Sequence, residues 1–303
     1  MKVKVLGATG TAGRAAIPVL VAAGHDVFGH ARTDSAAAAV AVLGDTPVRA
    51  DTDDPDELRA MLTGADAVVD LRVAIPPATR AALPLAWREY ARLRDTGTGL
   101  VVDAALRAGV QRVIHDTVTM VYADGGDAQL DEDSPVDATG ALVANLAAER
   151  HLARLSAAGG TGVALRFAQF YGPDDRFSRE LMSAARRGRA LLAGRPEGWT
   201  SALHTDDVGQ AVLVALTAPA GFYNVVDDEP LRRRDVLDLL AQSAARTVRP
   251  FPAWTSSLAS APVRALARSQ RVSAARFRAL GWRPSVPSRR QGWPEAFAAF
   301  TSA

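Results

Sequence analysis

Two runs of residues in this chain could do chemistry by their types and spacing. The first is Gly7-Ala8-Thr9-Gly10-Thr11-Ala12-Gly13, directly after the apolar run Val3–Leu6 and before a helical pattern. Gly7 permits a tight turn, Gly10 lets the backbone approach a pyrophosphate, and Gly13 lets a helix pack close to a strand. Unpaired N–H groups at the helix start, with the positive end of its dipole, favour an anion there. The spacing is GxxGxxG, not GxGxxG, and a tight structural turn is the plain alternative. The second run is His115-Asp116-Thr117-Val118-Thr119-Met120-Val121-Tyr122, rich in hydroxyls beside an apolar stretch. Thr117 and Thr119 are placed to hydrogen-bond a carbonyl oxygen.

Such groups need a scaffold. Short apolar runs at Val3–Leu6, Val27–Phe28, Val48–Ala50, Ala67–Leu71, Val113–Ile114 and Val163–Phe167 alternate with helical patterns at Ala12–Ala23, Ser35–Leu43, Pro55–Leu62, Ala86–Ala108 and Leu142–Ala157. Repeated βα units with nearly all-apolar strands predict an α/β fold, a doubly wound parallel sheet of Rossmann type. Residues 1–170, completed by about 204–228, form the expected dinucleotide domain. Residues 171–203 and 229–303 form the expected smaller, mainly helical substrate cap, with no clear strand between Gly172 and Trp199. Ligands in such sheets bind beyond the carboxyl ends of the strands.

The residues after each strand are therefore the ones to read. After the second, Gly29-His30-Ala31-Arg32-Thr33 offers no acid for ribose hydroxyls, whereas Arg32 suits a 2′-phosphate. This predicts NADPH over NADH, unless Arg32 merely covers the sheet edge. After the third, Asp51 and Thr52 are assigned to the adenine side and Asp54 to a helix cap. Leu71, Arg72 and Val73 should pass near the nicotinamide ribose, with Thr117, Phe167 and Phe170 completing the cofactor site together with Thr9, Thr11 and Ala12. Val118, Tyr122, Gln169, Tyr171 and Trp199 are the candidates for the substrate walls, though aromatic residues are as readily ordinary core.

Composition narrows the chemistry. The 303 residues are 48% hydrophobic and 22% charged, enough to bury a core. The absence of cysteine excludes disulfides, thiolate metal sites and a cysteine nucleophile. A net charge of +2 gives no reason to expect nucleic acid. Lys2 and Lys4 are the only lysines, so no catalytic lysine follows the glycine turn. Asp206 and Asp207 have no matching cluster, and no metal is expected. His115 and His204 read as structural. No apolar run is long enough to span a membrane and no leader is evident, so the expected location is cytoplasmic.

These motifs, with Arg166, Tyr171-Gly172-Pro173, His204-Thr205-Asp206-Asp207-Val208, Tyr223-Asn224-Val225 and Leu280-Gly281-Trp282-Arg283-Pro284, resemble the extended short-chain dehydrogenase/reductases, which include nucleotide-sugar epimerases and dehydratases. The resemblance covers nearly the whole chain. It implies a Tyr-x-x-x-Lys pair after the fifth strand, with a Ser or Thr nearby. Anchored on Glu149, that pair falls on Ala141 and Asn145, and the serine on Val118. A lysine-free pattern is similar to atypical reductases of polycyclic aromatic polyketides. It implies an NADPH-dependent reductase of a hydroxylated, angucyclinone-like aromatic ketone, with Thr117, Thr119, Asn145, water or the substrate's own hydroxyl serving the proton. A nucleotide-sugar epimerase or dehydratase, and a non-catalytic NADP-binding regulator, are the alternatives. The oligomeric state is left open.

Overall fold

The computed structural model describes residues 1–250 and 252–301. The N-terminal half alternates strand and helix: β1 (Lys2–Leu6), α1 (Thr11–Ala22), β2 (Asp26–His30), α2 (Asp34–Val42), β3 (Thr46–Val48), α3 (Pro55–Leu62) and β4 (Ala67–Asp70). A long helical stretch follows, α4 (Arg88–Arg92) running through a π-helical turn at Leu93–Gly97 into α5 (Thr98–Ala108). Then come β5 (Arg112–Val118), β6 (Gln129–Leu130), α6 (Val143–Ala157) and β7 (Thr161–Phe167).

The cap elements are β8 (Gln169–Tyr171), α7 (Arg176–Arg186), β9 (Arg189–Ala190), β10 (Trp199–Thr200) and β11 (Ala202–His204). The chain returns to the sheet through α8 (Asp206–Ala215) and β12 (Gly221–Val225). It finishes in the cap with β13 (Leu231–Arg232), α9 (Arg233–Ser243), β14 (Arg249–Pro250), α10 (Ala261–Leu266), β15 (Arg271–Val272), α11 (Ala275–Arg278) and α12 (Arg289–Thr301).

The central sheet has seven strands in the order β12-β7-β5-β4-β1-β2-β3, every pair parallel. This is the doubly wound Rossmann arrangement, reversing at β1 beside β4. Both faces are covered, so the strands are apolar on both sides. Val3, Val5, Val69, Ile114 and Leu165 belong to one buried cluster, and Leu6, Val68, Val113 and Ala164 to the other.

Two details differ from the sequence reading. β5 extends to Val118, so His115, Asp116 and Thr117 lie within it. Polar residues continue the strand because each finds a buried partner there. The segment between Gly172 and Trp199 does contain one short strand, β9, and β10 opens at Trp199 itself; they pair with β14 and β13. Those partners are remote in sequence, so no local alternation announces them. Among the described residues no helix is long and apolar enough to cross a membrane.

Candidate active site

The glycine turn is built by close approach. Gly7 adopts a φ of 78°, and a Cβ there would lie 2.6 Å from the Leu71 carbonyl carbon. A Cβ at Gly13 would meet the Gly7 oxygen at 2.3 Å. Gly10 is different: its nearest neighbour is the Gly7 oxygen at 3.2 Å, and it lines the cavity described below. Helix α1 starts after Gly10 with no side-chain cap and no acid in its first turn. The first N–H groups are thus left to an external anion, and no carboxylate repels one. A dinucleotide pyrophosphate fits this cradle. When bound, such a cofactor supplies or accepts hydride at its nicotinamide ring.

Arg32 is exposed beyond β2 and makes no hydrogen bond or ion pair among the described residues, although its charge is felt by His30 and Glu89. Asp51 is exposed and accepts from the Asp53 N–H at 2.9 Å, an internal bond of its turn. Thr52 lies half-buried in the same turn. Asp54 caps α3, accepting from the N–H groups of Asp56 and Glu57.

A cavity of about 460 Å³ runs from this turn into the cap. Gly10, Thr11, Ala12, Leu71, Val73, Thr117, Val118, Phe167, Gln169 and Phe170 all line it. Phe167 and Phe170 stand 5.3 Å apart, ring centre to ring centre. Its far side is apolar, with Pro76, Ala81, Leu192 and Val263 among the wall residues. The loop after β4 roofs it: the Ala78 N–H donates to Glu180 of α7, and Ser260 donates to the Ala81 carbonyl.

Other expected site residues lie elsewhere. Arg72 turns back from the cavity, with Nε 2.8 Å and Nη2 2.9 Å from the Asp70 carboxylate. Burial disfavours the Asp70 charge, but Arg72 overrides it and holds that carboxyl well below the usual range. Tyr122 is fully buried. Its hydroxyl donates to Asn224 and accepts from Arg166, which forks onto Glu149. Tyr171 is buried against the cap helices rather than facing the cavity. Trp199 is held between Arg232 and Arg271 and donates to Asp127. Trp199 and Thr119 border a small neighbouring void of about 20 Å³, which shares Met120, Gln169 and Leu266 with the lining of the main cavity. Thr9 is exposed at the turn, its carbonyl accepting from Arg14.

The main cavity instead brings in residues the sequence reading passed over. Tyr90 of α4, Arg94 of the π-helical turn and Asp116 of β5 form part of its wall. Arg94 binds Asp116 through two bonds, at 2.7 and 2.6 Å, and also meets His115 Nε2 at 3.1 Å. Asn145, one turn into α6, accepts from the Tyr90 hydroxyl at 3.0 Å. Tyr90 and Arg94 share a helix face by their spacing of four. Nothing local says that this face meets a cavity, which is why the sequence alone left it unread.

A Rossmann turn, an open anion cradle and a cavity reaching from it into a cap define the architecture. The NAD dependent epimerase/dehydratase family model matches residues 3–225. The chain belongs to this family. It is 34% identical to a 3-diazoavenalumate denitrifying reductase of a Streptomyces species, over 96% of this chain and 99% of that protein. It is 29% identical to 4-hydroxy-2-methyl-3-oxo-4-farnesyl-3,4-dihydroquinoline-1-oxide ketoreductase of Stigmatella aurantiaca, over 80% of this chain and 73% of that one. The fold is also that of the human epimerase family protein SDR39U1, solved with NADPH: TM-score 0.81, 24% identity, covering 98% of this chain and 99% of that one. This family member is an oxidoreductase working with NAD or NADP. Ala141 sits in the turn before α6, and Asn145 lies in the first turn of that helix.

Proposed function

We propose that the protein is an NADPH-dependent ketoreductase whose substrate is a ketone on a hydroxylated polycyclic aromatic skeleton of the polyketide type. The observation that carries this is the charge balance of the cavity. Its charged lining residues, among those described, are Arg94, Asp116 and Asp175. The first two neutralise one another, and Asp175 caps α7 by accepting from the Ser178 N–H. No unpaired cation is left there for the diphosphate of a nucleotide sugar, whereas the apolar wall suits a flat, uncharged ligand. Arg32, exposed beyond β2 with no hydrogen bond or ion pair among the described residues, supports NADPH over NADH. The Stigmatella relative's name, a ketoreductase of a 3-oxo ring carbon beside a 4-hydroxyl, supports a hydroxylated ketone.

The test is NADPH oxidation with a panel of polycyclic aromatic ketones, half with a hydroxyl hydrogen-bonded to the ketone and half with it methylated. NADPH binding is measured alongside. Reduction of the free-hydroxyl members is expected. Tight NADPH binding with no reduction of any member, but turnover of a nucleotide sugar, would sink this reading.

A further inference from the structure

The resemblance places the family's tyrosine and lysine on Ala141 and Asn145; a tyrosine of a different helix, Tyr90, reaches Asn145. Tyr90 donates to Asn145 Oδ1 at 3.0 Å, and Asn145 is fixed in turn because its Nδ2 donates to the Leu142 carbonyl at 3.1 Å. Trp87 packs edge-on against the Tyr90 ring, with centroids 5.3 Å apart at 81°. Arg94, four residues on, has its guanidinium carbon 5.5 Å from the centre of that ring. Tyr90 is 2% exposed and Arg94 1%, and both line the cavity. We propose that Tyr90 and Arg94 form a relocated Tyr-x-x-x-Arg pair, in which Tyr90 hydrogen-bonds and protonates the oxygen of the reduced carbonyl.

This rests on the ketoreductase reading above. The other candidate hydroxyls already donate or lie off the cavity wall. Tyr122 and Thr119 are not among its lining residues. Thr117 lines it but donates to the Glu149 carboxylate at 3.3 Å, whereas the acceptor Tyr90 would exchange for a substrate oxygen is the neutral Asn145 amide. Arg94 cannot swing away, because Asp116 and His115 hold its Nη atoms. The π-helical turn that carries it is the kind of local irregularity that re-aims a side chain.

The balance is simple. A reduced nicotinamide, when held by the glycine turn, would supply hydride to the carbonyl carbon, and the C=O π pair would move to oxygen. Tyr90 Oη gives its proton to that oxygen, so the phenol O–H bond breaks and the alcohol O–H bond forms. Arg94, although paired with Asp116, favours the resulting tyrosinate more than Asp116 opposes it, and the tyrosinate regains a proton from water as product leaves. Burial holds the Tyr90 hydroxyl above its ordinary value, with Arg94 opposing, so it is a neutral donor throughout the neutral range.

The experiment is infrared spectroscopy of α-tetralone bound to wild-type protein and to Tyr90→Phe, with NADP⁺ present so that no reduction occurs. The carbonyl stretch is expected to fall below its hydrocarbon-solvent position in the wild type and to return towards it in Tyr90→Phe. In parallel, kcat for methylated ketones should fall about 10²–10⁴-fold in the variant. An unshifted band in the wild type overturns the proposal with no variant needed. An equal shift in both proteins also overturns it, leaving the ketoreductase reading intact. Failure of wild type to bind α-tetralone and every polycyclic ketone of the panel removes that reading, and the pair with it.

Discussion

Arg94 grips Asp116 through two near-parallel bonds, Nη1 to Oδ1 at 2.7 Å and Nη2 to Oδ2 at 2.6 Å, in the wall of the cavity. The pair ties the π-helical turn to β5 and leaves no net charge. Removing one partner strands the other's charge in a buried place, at a cost of about 3–5 kcal/mol. Arg94→Met should lower the unfolding free energy by that order in a urea titration. Arg94→Met combined with Asp116→Leu should recover most of the loss. A single variant as stable as wild type would refute the pair's structural role.

Gly13 sets a second expectation. Its missing Cβ would lie 2.3 Å from the Gly7 oxygen and 2.6 Å from the Ala8 oxygen, both backbone atoms with little room to move. Gly13→Ala should therefore destabilise the fold by about 1–3 kcal/mol. It should also weaken NADPH binding, because relief requires α1 to shift away from the turn. Denaturant melts and a fluorescence titration with NADPH check both effects, and unchanged binding would contradict the cradle.

Arg32 separates the two cofactors. A charge-assisted bond to a 2′-phosphate is worth about 1.5–3 kcal/mol. Arg32→Ala should then weaken NADPH roughly ten- to a hundredfold, while NADH binding changes little. Parallel calorimetric titrations decide the matter. Equal losses for both cofactors would return Arg32 to the role of an edge cover.

The pH dependence of stability has a marked contributor in Asp227. Burial pushes its carboxyl up to about 8, Arg289 opposing. The unfolded group has its ordinary value near 4. Between those values the folded state holds a proton that the unfolded state has lost, so stability falls as pH rises through that window. Asp45, pushed up by burial to about 6, acts in the same direction over a narrower span. Asp227→Asn should flatten the decline between about pH 4 and 8 and raise stability at the alkaline end. Chemical denaturation at several pH values tests this, and a variant as steep as wild type would exclude the effect.

The sequence by itself determined the scaffold. Near-continuous apolar runs such as Val3–Leu6 and Val163–Phe167 can be satisfied only by a sheet buried on both faces, and the local rules for glycine and helix starts placed the glycine turn after β1. The missing lysine was equally plain, since it depends on composition and not on contacts. Which side chains share the cavity was decided by tertiary structure. Tyr122 and Tyr171 follow strands and so look placed for ligand, yet Arg166, Asn224 and the cap helices draw them into the interior. Tyr90 sits mid-helix without any motif, yet the packing of α4 against α6 brings it to Asn145, 55 positions away. Spacing along a helix or strand fixes which residues share a face. What that face meets depends on contacts between segments far apart in the chain, and local periodicity carries no record of them.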